Sequence, residues 1–337
     1  LPEEGAVVSG DTRAFEALTA SVGESIVARL AAVERRLTEI VENREPAARV
    51  PALATLAAGG KRLRPLLVLT CGAINDADDL QASALISAAA AVELVHMATL
   101  VHDDVLDDAA LRRGRPTIYA QDGRDAALRT GDLLFALAFE ELAASDDAEQ
   151  VRALSRASSG LAQGELLQRE DAWDATVTSE RYLERCTLKT ARLFEAAAQL
   201  GAHAGGRPQL APSLGAFGAK VGLAFQLADD VLDVVAATEQ TGKTRGADLL
   251  DGTVNLPLII AAERDPSLRE LDLKAIDTPE LASAACDRII ATGSPVEVSA
   301  QARDLVDQAK TLLGDDVSAA EREVFESIAD QAVARSH

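Results

Sequence analysis

Apolar residues recur at spacings of three and four from about Phe15 to Ile328, the repeat of a helix that buries one face. No run of alternating β-branched residues interrupts the repeat, so the pattern predicts helices throughout and no strands. Punctuation falls where helices would end: Glu45-Pro46, Gly59-Gly60, Gly114 to Pro116, Gly205 to Pro208, Thr278-Pro279 and Gly293 to Pro295. Thr278 with Pro279 reads as a cap followed by a first-turn proline. The longest apolar stretch, Ala82 to Val101, contains Glu93 and His96 and runs into an acidic motif, which marks a core helix and not a membrane span. No low-complexity linker and no repeat period of solenoid length divides the chain. The expected architecture is all-α, one helical domain over residues 1–337, with residues 1–15 as a loosely ordered leading segment.

Composition narrows the partners. Asp plus Glu number 54 against 33 Lys plus Arg, a formal charge of -21, so no general polyanion surface and no nucleic-acid partner is expected. Leu1 to Asp11 show neither a basic start nor an apolar core, so no signal peptide is expected there. Cys71, Cys186 and Cys286 have no metal-ligand spacing and suit a reducing, cytoplasmic setting. His96, His102, His203 and His337 likewise lack zinc-ligand spacing.

The chemistry is concentrated in a repeated pentapeptide, DDVLD, at Asp103 to Asp107 and again at Asp229 to Asp233. Residues four apart share a helix face, so each copy projects a carboxylate pair in one direction. Like charges so placed repel unless cations are present, and oxygen-only ligands select hard ions such as magnesium. The spaced oxygen ligands and central glycine of a calcium-binding EF-hand loop are missing from both segments. Against the acidic background two basic clusters stand out: GGKRLRP, with Lys61, Arg62 and Arg64, and LRRGRPT, which starts four residues beyond the first motif and carries Arg112 and Arg113. Lys189 in LKTARLF and Lys243 in TGKTRG add two further candidates. The GKT at Gly242 to Thr244 is no nucleotide loop, because Thr238 stands where a P-loop needs glycine.

The ordered series GGKRLRP, ELVHMATLVHDDVLDDAALRRGRPT, GDLLFALAFE, QGELLQ, KTARLF, FQLADDVLD and GKTRGADLLDGTVNLPLI resembles the trans-isoprenyl diphosphate synthase family, from about residue 55 to 260. That resemblance implies an isoprenoid synthase-type helical bundle with a central active-site cavity, usually a homodimer. It also implies condensation of isopentenyl diphosphate with an allylic diphosphate. Asp103, Asp107 and Asp229, supported by Asp104 and Asp233, would hold about three magnesium ions. Arg112, Lys189 and Lys243 would bind the allylic diphosphate, and Lys61, Arg64, His96 and Arg113 the isopentenyl diphosphate. Thr190 and Gln226 would lie near the allylic cation, and the departed diphosphate would serve as base. His96 precedes Asp103 by two helical turns on nearly the same face, whereas His102 is expected to be structural.

Product length follows from the same resemblance. Members close the product tunnel with side chains four or five residues before the first motif. Those positions are Thr99 and Ala98 here, both small, with Phe135 or Phe139 as lower floors. An all-trans polyprenyl diphosphate longer than twenty carbons is therefore expected, geranylgeranyl diphosphate being the alternative. Val234, often aromatic in the family, and Thr253, often lysine, depart from the pattern without removing a metal ligand. A terpene cyclase would replace the second DDVLD by another triad, and a non-catalytic partner subunit would lose its Asp motifs or Arg pair. A calcium-buffering scaffold leaves Lys61, Arg64, Arg112 and Arg113 unexplained.

Overall fold

A computed structural model describes residues 24–60, 62–72, 79–112, 114–236 and 244–334. Lys61, Arg113, Lys243 and the 1–15 segment lie outside the described residues. The chain begins with α1 (Glu24–Glu42), α2 (Pro46–Ala57), α3 (Leu63–Cys71) and the long α4 (Asp79–Leu106). A short hairpin of β1 (Leu111–Arg112) and β2 (Arg115–Pro116) follows, then α5 (Ile118–Asp122), α6 (Arg124–Ala143), α7 (Ala148–Glu170) and α8 (Ser179–Cys186). A π-helical turn, Thr187–Ala191, leads into α9 (Arg192–Ala204), and α10 (Ala211–Val235) ends in the second acidic motif. The remainder comprises α11 (Ala247–Leu250), α12 (Leu256–Arg264), α13 (Pro266–Arg269), α14 (Pro279–Ala291), α15 (Ser294–Thr311) and α16 (Ala319–Val333).

Local chemistry sets these boundaries. Pro46 opens α2, and Thr278 accepts the Leu281 N–H at 3.3 Å to cap α14. Thr117, Asp147, Thr178 and Asn255 cap α5, α7, α8 and α12 in the same way, and Ser318 with Glu321 forms a reciprocal capping box on α16. The expectation of no strands fails at LRRGRP. Gly114 takes a φ of 74°, turning the chain back so that Leu111 pairs with Pro116 and Arg112 with Arg115.

α4 is the buried centre of the bundle, packed on α1, α3, α6 and α9. By length and composition alone Leu80–Leu106 could cross a membrane, but its most apolar window is 67% buried inside the protein, as a core helix would be. α9 lies between α10, α7 and α3, and α10 packs along α15. Two apolar cores result, one around α4, α6 and α9 and one around α8 and α12 to α14. They share α10 and α15, so the two acidic motifs are carried by helices fixed in one continuous scaffold. At Gly164 of α7 any Cβ would lie 2.6 Å from the Lys189 backbone nitrogen, so glycine lets α7 press directly against the π turn.

Candidate active site

The first motif sits where α4 ends. Asp103 and Asp104 occupy its last turn, and Asp107 follows, its N–H donating to the Asp103 carbonyl at 2.8 Å. Helical phase separates the carboxylates, since Asp104 is turned by about 100° from Asp103 whereas Asp107 returns to the Asp103 face. Asp104 is accordingly 6% exposed and accepts from Arg112 Nε at 2.6 Å, while Asp103 and Asp107 remain accessible. The same open face continues down α4 through Leu100, Thr99 and His96. Ala98, by contrast, is fully buried, and Thr99 donates to the His96 carbonyl at 2.7 Å. His102 packs against Gly131 and stacks on Phe135 at 5.9 Å, in keeping with a structural role, and Phe139 also packs on the core.

Cations from other helices meet the open carboxylates. Lys189, on the π turn, bonds to Glu165 Oε2 at 2.5 Å and to Gln168 at 3.2 Å. Burial opposes its charge, but Asp103 and Glu165 more than compensate and hold the Lys189 pKa above its ordinary value. Burial pushes Asp103 up to about 6, helped by Glu165 and Asp107 and opposed by Lys189 and Arg112. Arg169, one turn after Glu165 on α7, donates to Asp107 Oδ1 at 2.8 Å and to Glu165 Oε1 at 3.1 Å.

The second motif is joined to this group through Thr190, the neighbour of Lys189. Its hydroxyl donates to Gln226 at 2.8 Å, and Gln226 donates to Asp230 at 2.8 Å. Asp230 is buried and also accepts the Tyr182 hydroxyl at 2.6 Å. Asp233 turns its carboxylate onto the backbone N–H groups of Ala247 at 3.1 Å and Asp248 at 3.3 Å, capping α11. Of the two residues expected to support the metal, Asp104 thus accepts from Arg112 and Asp233 from backbone donors. Asp229 is partly exposed, as Asp233 is, and its charge reaches Arg64. Burial pushes Arg64 down to about 10, against the charges of Glu93 and Asp229. Its guanidinium lies over the Phe194 ring at 4.7 Å, and its buried Nε has no hydrogen-bond partner among the described residues.

These carboxyls link stability to pH. Burial raises Asp103 and Asp251 to about 6 from 3.8, and holds Asp230 and Asp233 still higher, with the charge of Asp248 adding to the effect. A raised carboxyl keeps its proton in the folded state where the unfolded chain has lost it, so its contribution is full below about pH 4 and is lost as pH rises through the folded value. Metal-stripped protein should therefore lose Tm steadily from about pH 5 to pH 8, as calorimetry in a chelating buffer would read. A flat or rising Tm over that window would contradict the burial of these groups.

Residues 46–291 match a family model described as polyprenyl synthetase. The chain belongs to the polyprenyl synthetase family. Component 2 of the heptaprenyl diphosphate synthase of Geobacillus stearothermophilus is 42% identical over 233 residues, 69% of this chain and 72% of that protein. The octaprenyl diphosphate synthase of Escherichia coli is 40% identical over 205 residues, 60% of this chain and 62% of that one. A polyprenyl synthase from Caulobacter crescentus CB15, solved with calcium and isoprenyl diphosphate, superposes with a TM-score of 0.86 at 37% identity, over 94% of this chain and 98% of that one. This polyprenyl synthetase is thus a prenyl-transferring enzyme of the trans-isoprenyl diphosphate synthase type, with the all-α isoprenoid synthase fold.

Several further residues belong to the site. Glu165 and Gln168 of the QGELLQ segment form an i, i+3, i+4 set with Arg169, which follows it, and Asp248 and Asp251 follow the second motif. Asp251 feels the charges of Asp107 and Arg169, which brings this third acidic segment up to the first. Asn255 holds Asp248 at 3.1 Å, and the Trp173 backbone N–H donates to the Gly252 carbonyl at 2.9 Å. Gly252 has a φ of +75°, and a Cβ there would meet the Trp173 ring at 2.2 Å, so glycine is required for the ring to approach this loop so closely.

Proposed function

We propose that this enzyme joins isopentenyl diphosphate to an allylic diphosphate, head to tail, and releases an all-trans polyprenyl diphosphate longer than twenty carbons. The observation that carries this reading is the π turn, whose neighbouring Lys189 and Thr190 face the first and the second acidic motif respectively. π turns recur at functional sites because they re-aim adjacent side chains.

The donor set suits magnesium. Among the described residues no three His, Cys, Asp or Glu side chains converge on one point. An ion that takes one or two carboxylates and completes its octahedron with water and phosphate oxygens fits such a site. Asp103, Asp107 and Asp229 are the proposed ligands of about three such ions, with Asp104 and Asp233 behind them. Bound metal would neutralise the charge that gathers on the diphosphate as its carbon-oxygen bond breaks. Arg112, Lys189 and Lys243 are assigned to the allylic diphosphate. Lys61, Arg64, His96 and Arg113 are assigned to isopentenyl diphosphate, and the unpartnered Nε of Arg64 suits an incoming phosphate oxygen. The chain from Thr190 through Gln226 and Asp230 to Tyr182 fixes the orientation of the groups beside the allylic carbon. The new carbon-carbon bond takes the electrons of the isopentenyl double bond, and the proton then lost passes to the departed diphosphate.

A single helical domain, working as a cytoplasmic homodimer, completes the proposal; the three cysteines are buried and unpaired, which accords with a reducing compartment. The likeness to a protein named component 2 of a heptaprenyl diphosphate synthase favours one second reading, in which the chain works beside a different subunit. The test is product analysis with magnesium, labelled isopentenyl diphosphate and allylic primers of increasing length. Chains beyond twenty carbons support the reading, accumulation at twenty moves the floor, and no condensation with any primer sinks the homomeric form. Thr99→Phe should shorten the product by several isoprene units, because Thr99 lies one turn below Asp103 on the open face. Ala98→Phe should also shorten it, at a cost of about 1–3 kcal/mol for overpacking a buried position. Unchanged lengths in both variants would place the tunnel elsewhere.

A further inference from the structure

We propose that Arg169 is an internal counter-cation of the first acidic motif, which a divalent ion must displace from Asp107, so that Arg169 sets how tightly the site takes metal. This rests on the reading of Asp103 and Asp107 as metal ligands.

Geometry singles out Arg169. One guanidinium nitrogen contacts Asp107 Oδ1 at 2.8 Å, and Nε contacts Glu165 Oε1 at 3.1 Å. Asp107 is the more exposed member of the carboxylate pair, and the oxygen that Arg169 takes is one that a bridging ion would need. Glu165 divides its two oxygens between two cations, Oε1 to Arg169 and Oε2 to Lys189, so one carboxylate places a positive charge beside each aspartate of the motif. The two cations differ in freedom. The Lys189 side chain is 26% exposed and is tied to Gln168 as well as Glu165, whereas the Arg169 side chain is 41% exposed and lies on the solvent side of α7. Arg169 can release Asp107 and stay anchored one helical turn away on Glu165, an i, i+4 pair that survives the exchange. Asp251 also lies within reach of the Arg169 charge, so withdrawal of the guanidinium leaves acidic groups of two segments without it. Metal uptake is thereby an exchange of one cation for another, and the acidic mouth stays partly neutralised in between.

The experiment uses the full chain, stripped of metal, with manganese as the probe and free manganese counted by electron spin resonance without any diphosphate. Arg169→Gln should tighten manganese binding by about two- to fivefold, the scale of a partly exposed ion pair. Arg169→Lys, which keeps the charge but not the planar fork, should return affinity toward the original value. Circular dichroism and Tm of both variants control for folding. Unchanged or weaker manganese binding in Arg169→Gln overturns the proposal, as does a complete lack of binding in both proteins. In that last case the ligand reading is judged separately: loss of turnover with a chelator and in Asp103→Asn would leave it standing while Arg169 loses its role.

Discussion

Asp103→Ala should lose turnover by about a hundred- to a thousandfold while the protein stays folded, and Asp229→Ala should do the same. Each removes a carboxylate whose proposed role is to hold the ions that stabilise the departing diphosphate, and loss of one preorganised electrostatic contact of that kind costs about 10²–10³ in rate. The stability side has the opposite sign. Asp103 is held at about 6 by burial and by Glu165 and Asp107, so its charge is disfavoured where it stands. Removing it relieves that repulsion, and Tm at pH 8 should hold steady or rise, as expected where activity is kept at the expense of stability. Incorporation of labelled isopentenyl diphosphate measured beside calorimetry separates the two effects. Activity within tenfold of the original, or a collapsed fold, would remove these residues from the proposed mechanism.

Glu93→Ala should be the most destabilising single change. Arg62 takes a left-handed backbone, with φ of 47°, at the cap of α3, and its side chain is buried between Glu93 at 2.8 Å, Glu34 and the Leu56 carbonyl at 3.3 Å. Glu93 is 3% exposed and Arg62 8%, so truncating Glu93 strands a guanidinium out of water. Burial opposes the Arg62 charge, and Glu34 and Glu93 together outweigh it. Breaking such a pair costs about 3–5 kcal/mol. With an unfolding entropy of ~2.1 cal/mol/K per residue, this lowers Tm by roughly 4–7 °C. Because Arg64 lies two residues on, KM for isopentenyl diphosphate should rise as well. The double replacement Arg62→Met with Glu93→Leu should recover much of the Tm, since an apolar pair of similar volume leaves no orphaned charge. A Tm loss below 1 °C in Glu93→Ala would show that Glu34 alone is sufficient.

Much of this was legible in the sequence, for local reasons. Helix ends were visible because Pro46, Thr278 with Pro279, and Gly293 act on their own backbone within a turn. The acidic motifs were visible because four-residue spacing determines which carboxylates share a face. That rule also separates Asp104 from Asp103, although only the structure shows Arg112 on the other side. The hairpin at Leu111 to Pro116 was missed because two residues per strand are too few to show alternation. Glu165 and Arg169 were missed for a different reason: their partners are 24 and 62 residues away, and nothing local marks an ordinary i, i+4 pair as part of a site. The capping role of Asp233 depends likewise on a loop that returns to it 14 residues later.

Trp173 is the only tryptophan in the chain, and its half-buried indole packs against Gly252, one residue from Asp251. The protein therefore carries an intrinsic fluorophore on the loop that follows its second acidic motif. Changes in emission colour and quenching report on that loop alone, with no competing indole and no attached dye, so each ligand can be followed as it arrives.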